Sequence, residues 1–347
     1  YLRFKPEIEL EYVYYYGKGY LPYAKAAYDT MTLEQVVEDK CKYSGRDPKS
    51  FLSLDEVLKM DDISGENGRF VRVITAANGK KAFLRIYKDN HVYPYESQIS
   101  TALKTLLQEA PMVGFVTGHK ERSGMDMGEK GYGTFASNKT FRYSLENSGY
   151  GVREISLEHP VAEDINIIVL ADMRSDFTEE EFRNFDAYLE RGGNLFILGE
   201  PKRQQFMNPV IERLGLRFAD GIIVSPSEVN LDDLVAANIK EGAAKVSENY
   251  IRYFRSGYSI MTPSACAVEV IDSAKGFEIT EVLASAGKGS WVEKETTDFI
   301  NEKSVLNPAV GEVEKSNSIM LYLTRPVNNK EQRIFVIGDA DCISTLE

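Results

Sequence analysis

Asp164-Ile-Asn-Ile-Ile-Val-Leu-Ala171, then Phe177-Thr-Glu-Glu-Glu-Phe182, then Glu190-Arg-Gly192-Gly193-Asn-Leu-Phe-Ile-Leu198, carries the clearest structural pattern in the chain. Its first and last pieces are short, almost uniformly apolar runs, the mark of strands buried on both faces. Between them lies a helix with unusually complete end signals. Thr178 is an N-cap and Glu181 its N3 partner, so each side chain can accept from the other's backbone N–H. Phe177 and Phe182 occupy the staple positions, and Gly192-Gly193 supply a left-handed stop after Arg191. Strand, capped helix, Gly-Gly and strand make a βαβ unit.

Further apolar runs surround this unit from Pro111 on: Met112–Thr117, Val152–Ser156, Gly221–Val224 and Arg333–Ile337. Alternating with helical patterns, they predict an α/β fold with a mostly parallel sheet covered by helices on both faces. The region around 225–318 has weaker periodicity and reads as an irregular or β-rich insertion, with Val229–Ile239 fragmentary and Lys275–Lys315 highly charged. The chain then returns to the sheet through Ile319–Leu323.

Residues 1–110 have a different character and read as a smaller α+β domain. Ile8–Tyr16 is predicted as a strand, Leu33–Lys42 and Ser53–Met60 as helices, Phe70–Thr75 and Lys81–Tyr87 as a hairpin turning at Asn78-Gly79, and Glu96–Leu107 as an amphipathic helix. The β-β-α ending resembles a thioredoxin-like module, without its cysteines. Tyr12, Tyr14, Tyr15, Tyr16 and Tyr20 form either a carbohydrate or partner surface or the ordinary face of a half-exposed strand.

With 347 residues, two domains are expected, 1–110 and 111–347. A net charge of −12 argues against nucleic acid as a partner, since that recognition needs clustered cations on phosphates. Hydrophobic residues at 43% exclude a disordered chain. No apolar run approaches the ~20 residues of a membrane helix, and Tyr1 leads into no signal peptide. The chain reads as a segment whose membrane anchors lie outside it.

An open parallel sheet places its ligand site at the carboxyl ends of its strands. Those ends read Thr117-Gly-His119-Lys-Glu121, Asp172-Met-Arg174, Gly199-Glu200-Pro-Lys-Arg203 and Gly338-Asp339-Ala-Asp341-Cys342. His119, Glu121, Asp172, Arg174, Glu200, Asp339 and Asp341 are therefore the candidate ligand-binding residues. Their alternative role is to cap helices and solubilise turns. The residues point to no metal site: His91, His119 and His159 are isolated, His91 and His159 read as solvated, and Cys41, Cys266 and Cys342 form no CxxC pair. Cys342 follows a strand as a nucleophile would, yet no histidine lies downstream, so a buried thiol is the better reading. Gly287-Lys-Gly-Ser290 lacks the first glycine of a P-loop, because position 282 is Val282. Gly131-Tyr132-Gly133 reads as a flexible loop.

Several of these segments, in this order, resemble the gliding-motility-associated (GldG-like) auxiliary components of bacterial ABC transporters. The resemblance is carried by Glu96-Ser-Gln-Ile-Ser-Thr-Ala-Leu, Val113-Gly-Phe-Val-Thr-Gly-His119-Lys-Glu121, the βαβ stretch quoted above, Asn208-Pro-Val-Ile-Glu-Arg-Leu-Gly-Leu, Leu283-Ala-Ser with Ser290-Trp291, and Val336-Ile-Gly-Asp339-Ala-Asp341. It implies a flavodoxin-like, class I glutamine-amidotransferase-like central domain without a catalytic triad and without a cofactor. It also implies an extracytoplasmic (periplasmic) body at the inner membrane, with a separate permease and ATPase as partners. The expected function is non-enzymatic recognition of a protein, glycan or other envelope component by the strand ends or the cleft between domains. The alternatives are a soluble hydrolase or amidotransferase-like enzyme using Cys342 or the Asp339, Asp341 and His119 edge, and a pure interaction scaffold.

Overall fold

The structure, a computed structural model, describes residues 9–17, 30–66, 68–87, 89, 91 and 93–345. The chain divides into two compact units, Tyr1–Ala102 and Leu103–Glu347.

In the first unit, β1 (Tyr14–Tyr16) pairs in parallel with β2 (Phe51–Ser53). Between them runs α1 (Leu33–Ser44), which Thr32 caps through a reciprocal box with Gln35 and which Gly45 ends in the left-handed region. Ser53 and Glu56 form the same box at α2 (Leu54–Met60). β3 (Val71–Thr75) and β4 (Lys81–Arg85) make the hairpin, with Gly79 at φ +81° in its turn. The strand expected over Ile8–Tyr16 is shorter: Glu9–Val13 are irregular, and Ile8 and Tyr20 lie outside the described residues. Tyr14 packs on Phe51 with ring centroids 5.5 Å apart, so part of the tyrosine cluster serves packing. The amphipathic helix α3 (Glu96–Leu107) follows.

The second unit contains β5 (Met112–Val116), α4 (Gly133–Ala136), β6 (Gly151–Ile155), β7 (Ile165–Ala171), α5 (Glu179–Glu190), β8 (Asn194–Leu198) and α6 (Gln204–Ile211). After these come β9 (Leu216–Phe218), β10 (Ile222–Val224), β11 (Leu234–Ile239), α7 (Asn249–Arg255), β12 (Ser259–Pro263) and β13 (Val268–Val270). The chain closes with β14 (Glu278–Ala284), β15 (Trp291–Glu293), β16 (Ser318–Val327) and β17 (Lys330–Ile337).

Nine of these strands form one sheet in the order β12-β11-β14-β16-β17-β8-β7-β5-β6. From β17 to β6 every pairing is parallel. From β12 to β17 every pairing is antiparallel, so the sheet is mixed. Of the two readings of 225–318, irregular or β-rich, the structure matches the second, because β11, β12 and β14 come from it. Gly221–Val224 is corrected: β10 pairs with β15 in a separate two-stranded sheet. Numbered in chain order, the parallel strands β6-β5-β7-β8-β17 lie as 2-1-3-4-5, with the order reversing between β5 and β7.

Both faces of the central parallel strands are buried, which explains their continuous apolar runs. Ile168 and Leu170 of β7 join one core with Phe185 and Tyr188 of α5 and Met207 and Val210 of α6. Val169 and Ala171 face the other core with Phe115, Tyr132 and Ala136. α5 carries the predicted box, and the Phe177 and Phe182 rings meet edge-on at 5.4 Å. A Cβ on Gly193 would lie 2.2 Å from the Tyr188 ring, so the second glycine is required for close packing. Arg191 donates to the Val161 and Ala162 carbonyls at 2.8 and 2.7 Å, tying the end of the helix to the preceding loop.

Candidate functional site at the strand ends

The parallel strands stop at one edge, and the backbone holds their ends in register. Asp172 N–H donates to Leu198 (3.0 Å), Gly199 N–H to Ile337 (2.7 Å), and Gly338 N–H to Ile319 (2.9 Å). Each bond carries the sheet one residue past its last strand position. A polar residue therefore leaves each strand from a fixed point. Asp172 adopts φ +50°, an uncommon backbone state that turns the chain sharply after β7.

The seven candidates separate into two clusters. His119 and Glu121 are buried against the start of α5. The His119 Nδ1 lies 3.3 Å from Glu121 Oε1 and its Nε2 lies 3.3 Å from Glu181 Oε2. The Nδ1 contact is close in distance but poorly aligned, and both of its atoms lack a hydrogen bond. Glu121 accepts from the His119 backbone N–H at 2.6 Å through its other oxygen. Burial pushes the Glu121 carboxyl up from the ordinary range. Glu181 also accepts from the Thr178 N–H at 2.7 Å, and the His119 ring meets Phe177 at 5.0 Å. His119 thus ties the end of β5 to the helix cap.

Of the other five, Asp172, Glu200 and Asp341 meet at a residue that sequence reasoning missed, Arg122, while Arg174 joins through Asp172 and Asp339 through the Asp341 backbone. Its side chain is 3% exposed. Its Nε contacts Asp172 Oδ2 at 3.3 Å, its Nη2 lies 3.4 Å from Glu200 Oε2, and its Nη1 donates to Asp341 and to the Ala340 carbonyl (3.0 Å). One guanidinium joins the segments after β5, β7, β8 and β17. Burial opposes its charge, but Tyr132, Asp341 and Glu200 outweigh burial and hold the proton more firmly than usual. Two more arginines complete the cluster: Arg174 and Arg203 bind opposite oxygens of Asp172 at 2.7 and 2.9 Å. Arg174 is exposed and forms the rim.

Asp339 is fully buried. Its Oδ1 accepts from the Asp341 N–H at 2.8 Å, while its Oδ2 has no hydrogen-bond partner. Burial raises its pKa to about 7, with Glu200 adding to the shift. Glu200 is likewise pushed up to about 7 by burial, Arg122 opposing and Asp341 and Asp172 adding.

Tyr132 is fully buried, donates to the Ala340 carbonyl at 2.6 Å and stacks under Arg122. Gly131 and Gly133 are packed as tightly: a Cβ on either would meet the Asp126 carbonyl, at 2.2 and 2.6 Å. The Gly131-Tyr132-Gly133 loop is therefore a packed wall of the site, correcting its reading as flexible. Burial, with Asp339 adding, pushes the Cys342 thiol far above its usual value. Among the described residues no hydrogen bond or ion pair joins it to His119. The described residues contain no group of histidine, cysteine and acidic side chains arranged to hold a metal. No helix among them is long and apolar enough to cross a membrane.

Comparison with known families picks out the part of the chain that supplies β5, β7 and β8 to this edge, while Asp339–Cys342 after β17 lie beyond it. Residues 110–238 match the ABC transporter auxiliary family, described as an ABC-type uncharacterized transport system. The match supports a transport-accessory role, and an auxiliary component of such a system associates with other transporter subunits. No curated protein matches the chain. Among solved structures, the N-terminal domain of mmIFT52 is similar at 15% identity and a TM-score of 0.44, covering 67% of this chain and 88% of that one. A thua-like protein from Parabacteroides merdae is 12% identical with a TM-score of 0.35, covering 66% and 79%. The exo-beta-1,4-mannosidase Op5Man5 from Opitutaceae bacterium strain TAV5 is 11% identical with a TM-score of 0.33, covering 70% and 33%.

Proposed function

We propose that this chain is a non-enzymatic recognition domain of an ABC-transporter auxiliary subunit. The match of residues 110–238 carries the reading, because it supplies the transport context that no side chain here encodes. The 2-1-3-4-5 order of the parallel strands supports a flavodoxin-type sheet of the glutamine-amidotransferase-like kind. In such sheets ligands enter where the strand order reverses, here between β5 and β7. At that point the buried Arg122 and Asp172 side chains pair at 3.3 Å, which supports a locked edge in place of a cofactor pocket. The raised Cys342 thiol and the engagement of His119 by helix α5 weigh against the hydrolase alternative.

In this reading the domain works on the extracytoplasmic side, held by segments outside the chain, in a GldG-like system for gliding or surface secretion. Its rim residues, such as Arg174, meet a protein or envelope component. The cross-linked strand ends pass that contact to the permease and ATPase as a rigid body. The test is a mild-detergent purification of the natively flanked protein from its own membranes. Recovery of a permease and an ATPase in constant ratio supports the proposal. A membrane-free protein without either subunit overturns it.

A further inference from the structure

The two ends of the nine-stranded sheet are protected very differently. At one end, β6 carries charged residues in mid-strand: Arg153 pairs with Asp164 at 2.7 Å and Glu154 with Ser123. Such charges are the usual guard against pairing with another chain. At the other end, β12 carries none. Its sequence is Ser259-Ile-Met-Thr-Pro263, its register with β11 is unbroken, and its only guard is the terminal Pro263.

The hydrogen-bond phase shows which backbone groups β12 leaves open. Lys240 N–H donates to Val282 of β14 (2.9 Å), so the even-numbered positions of β11 face β14 and the odd-numbered ones face β12. Val235 and Ala237, opposite Thr262 and Ile260, are then the bonded pairs. The Ser264 N–H bond to Asp233 continues the same phase. Ser259 and Met261 therefore turn their N–H and C=O groups outward, where no strand among the described residues pairs with them.

Apolar and aromatic side chains surround this open edge. Every residue from Arg252 to Met261 is exposed. Tyr258 is 60% exposed, with Ile260 and Met261 at 43% and 44%. The Tyr253 ring meets Tyr258 edge-on at 5.6 Å and Tyr250 at 6.1 Å, so the aromatic side chains are pre-arranged. Pre-arranged tyrosines lose little entropy on binding, which is why such residues anchor interfaces. From Asn249 to Pro263 the only charges are Arg252 and Arg255, in a chain of net charge −12.

The geometry points to β12 as a docking edge for an extended segment of a partner protein, its apolar side chains alternating with acidic ones. The segment adds as a further strand on Ser259 and Met261, its apolar side chains lie against the tyrosines and Ile260, and its carboxylates meet Arg252 and Arg255. Charge complementarity favours this occupant over a second copy, which carries the same −12. The open backbone groups favour it over a lipid surface, where unpaired N–H and C=O groups are costly. The inference is independent of the transport assignment.

The test uses the full chain and a short fluorescein-labelled peptide of alternating valine and glutamate, with a lysine-for-glutamate control. The proposal expects saturable binding by anisotropy, slowed amide exchange at Ser259 and Met261, and affinity reduced about tenfold by Arg252→Glu/Arg255→Glu. Met261→Pro, which removes an outward N–H, should weaken binding while a circular-dichroism melt checks that the fold persists. If that variant unfolds, the exposed arginine pair carries the test. Equal binding of the lysine peptide, unchanged exchange at Ser259 and Met261, or no saturation up to about 1 mM overturns the proposal. Arginine-dependent binding to phosphatidylserine vesicles without peptide binding assigns the patch to lipid and also overturns it. So does self-association abolished by the same variant.

Discussion

Replacing Arg122 by Met removes the charge that joins four strand ends while keeping most of the side chain's length. The structure sets the size of the effect. Asp172 keeps Arg174 and Arg203, so it remains paired. Glu200 and Asp341 both lose Arg122, with side chains only 15% and 17% exposed. Breaking a buried ion pair by removing one partner costs about 3–5 kcal/mol, because the remaining charge is left uncompensated. The Ala340 carbonyl retains the Tyr132 hydroxyl and adds little to the loss. The cost therefore depends on pH. Glu200 is pushed up to about 7, so below that value it is neutral and needs no cation. Arg122→Met should lose about 3–5 kcal/mol at pH 8 and about 1–2 kcal/mol less at pH 5.5. Urea unfolding followed by Trp291 fluorescence measures this cleanly, since the single tryptophan is buried in the same unit. Arg174→Met, at the exposed rim, should cost at most about 1 kcal/mol. A loss below about 1 kcal/mol for Arg122→Met at pH 8, or the same loss at both pH values, would refute the hub argument.

Three further outcomes follow from the same edge. Asp339 and Glu200 are both raised to about 7 in the folded chain, so the stability they confer is full below the ordinary carboxylate range and is lost as pH rises through about 7. The slope should approach 1.4 kcal/mol per pH unit for each proton, and Asp339→Asn should flatten it and stabilise the protein at pH 8 by roughly 1–3 kcal/mol; urea midpoints across pH check this. Gly338→Ala places a Cβ 1.8 Å from the Cys266 carbonyl oxygen, and since backbone cannot step aside, a loss of about 3 kcal/mol or more is expected in the same assay. Cys342 should react with iodoacetamide at pH 8 at least about tenfold more slowly in the folded protein than in urea, a rate read by mass spectrometry, and equal rates would show an accessible, ordinary thiol.

The parallel half of the sheet was legible because its signals are local and redundant. Thr178, Glu181, Phe177, Phe182 and Gly192-Gly193 all report the same helix ends, and a strand buried on two faces leaves an apolar run such as Ile165–Ala171. The antiparallel half was not legible for a physical reason. β11 alternates Val235, Ala237 and Ile239 inward with Ala236 and Asn238 outward, and alanine on both faces blurs a period of two. β10 looked like a sheet strand because Ile222, Ile223 and Val224 are all buried, yet they are covered by β15 and a neighbouring small core.

The strand-end rule names Asp172, Arg174, Glu200, Asp339 and Asp341, which the structure links through Arg122, Asp172 and the Asp341 backbone. It also admitted His119 and Glu121, which the structure commits to the cap of α5. Arg122 escaped notice because it sits five residues beyond Thr117 in a loop without a period. The signal that could have found it is electrostatic: four strand ends rich in carboxylates need a buried cation, and Arg122 follows directly on Glu121. Tyr132 was hidden the same way, since glycines packed against the Asp126 carbonyl read in sequence like a flexible linker.

In the proposed function the domain serves a transporter and performs no chemistry of its own. The most direct measurement is the ATPase rate of the cognate permease–ATPase complex in lipid nanodiscs, with and without the natively flanked protein, beside the protein alone. The protein is expected to shift the complex's rate at a fixed stoichiometry and to show no hydrolytic turnover alone. A complex indifferent to its presence, or turnover by the isolated protein that Cys342→Ser abolishes, would contradict it.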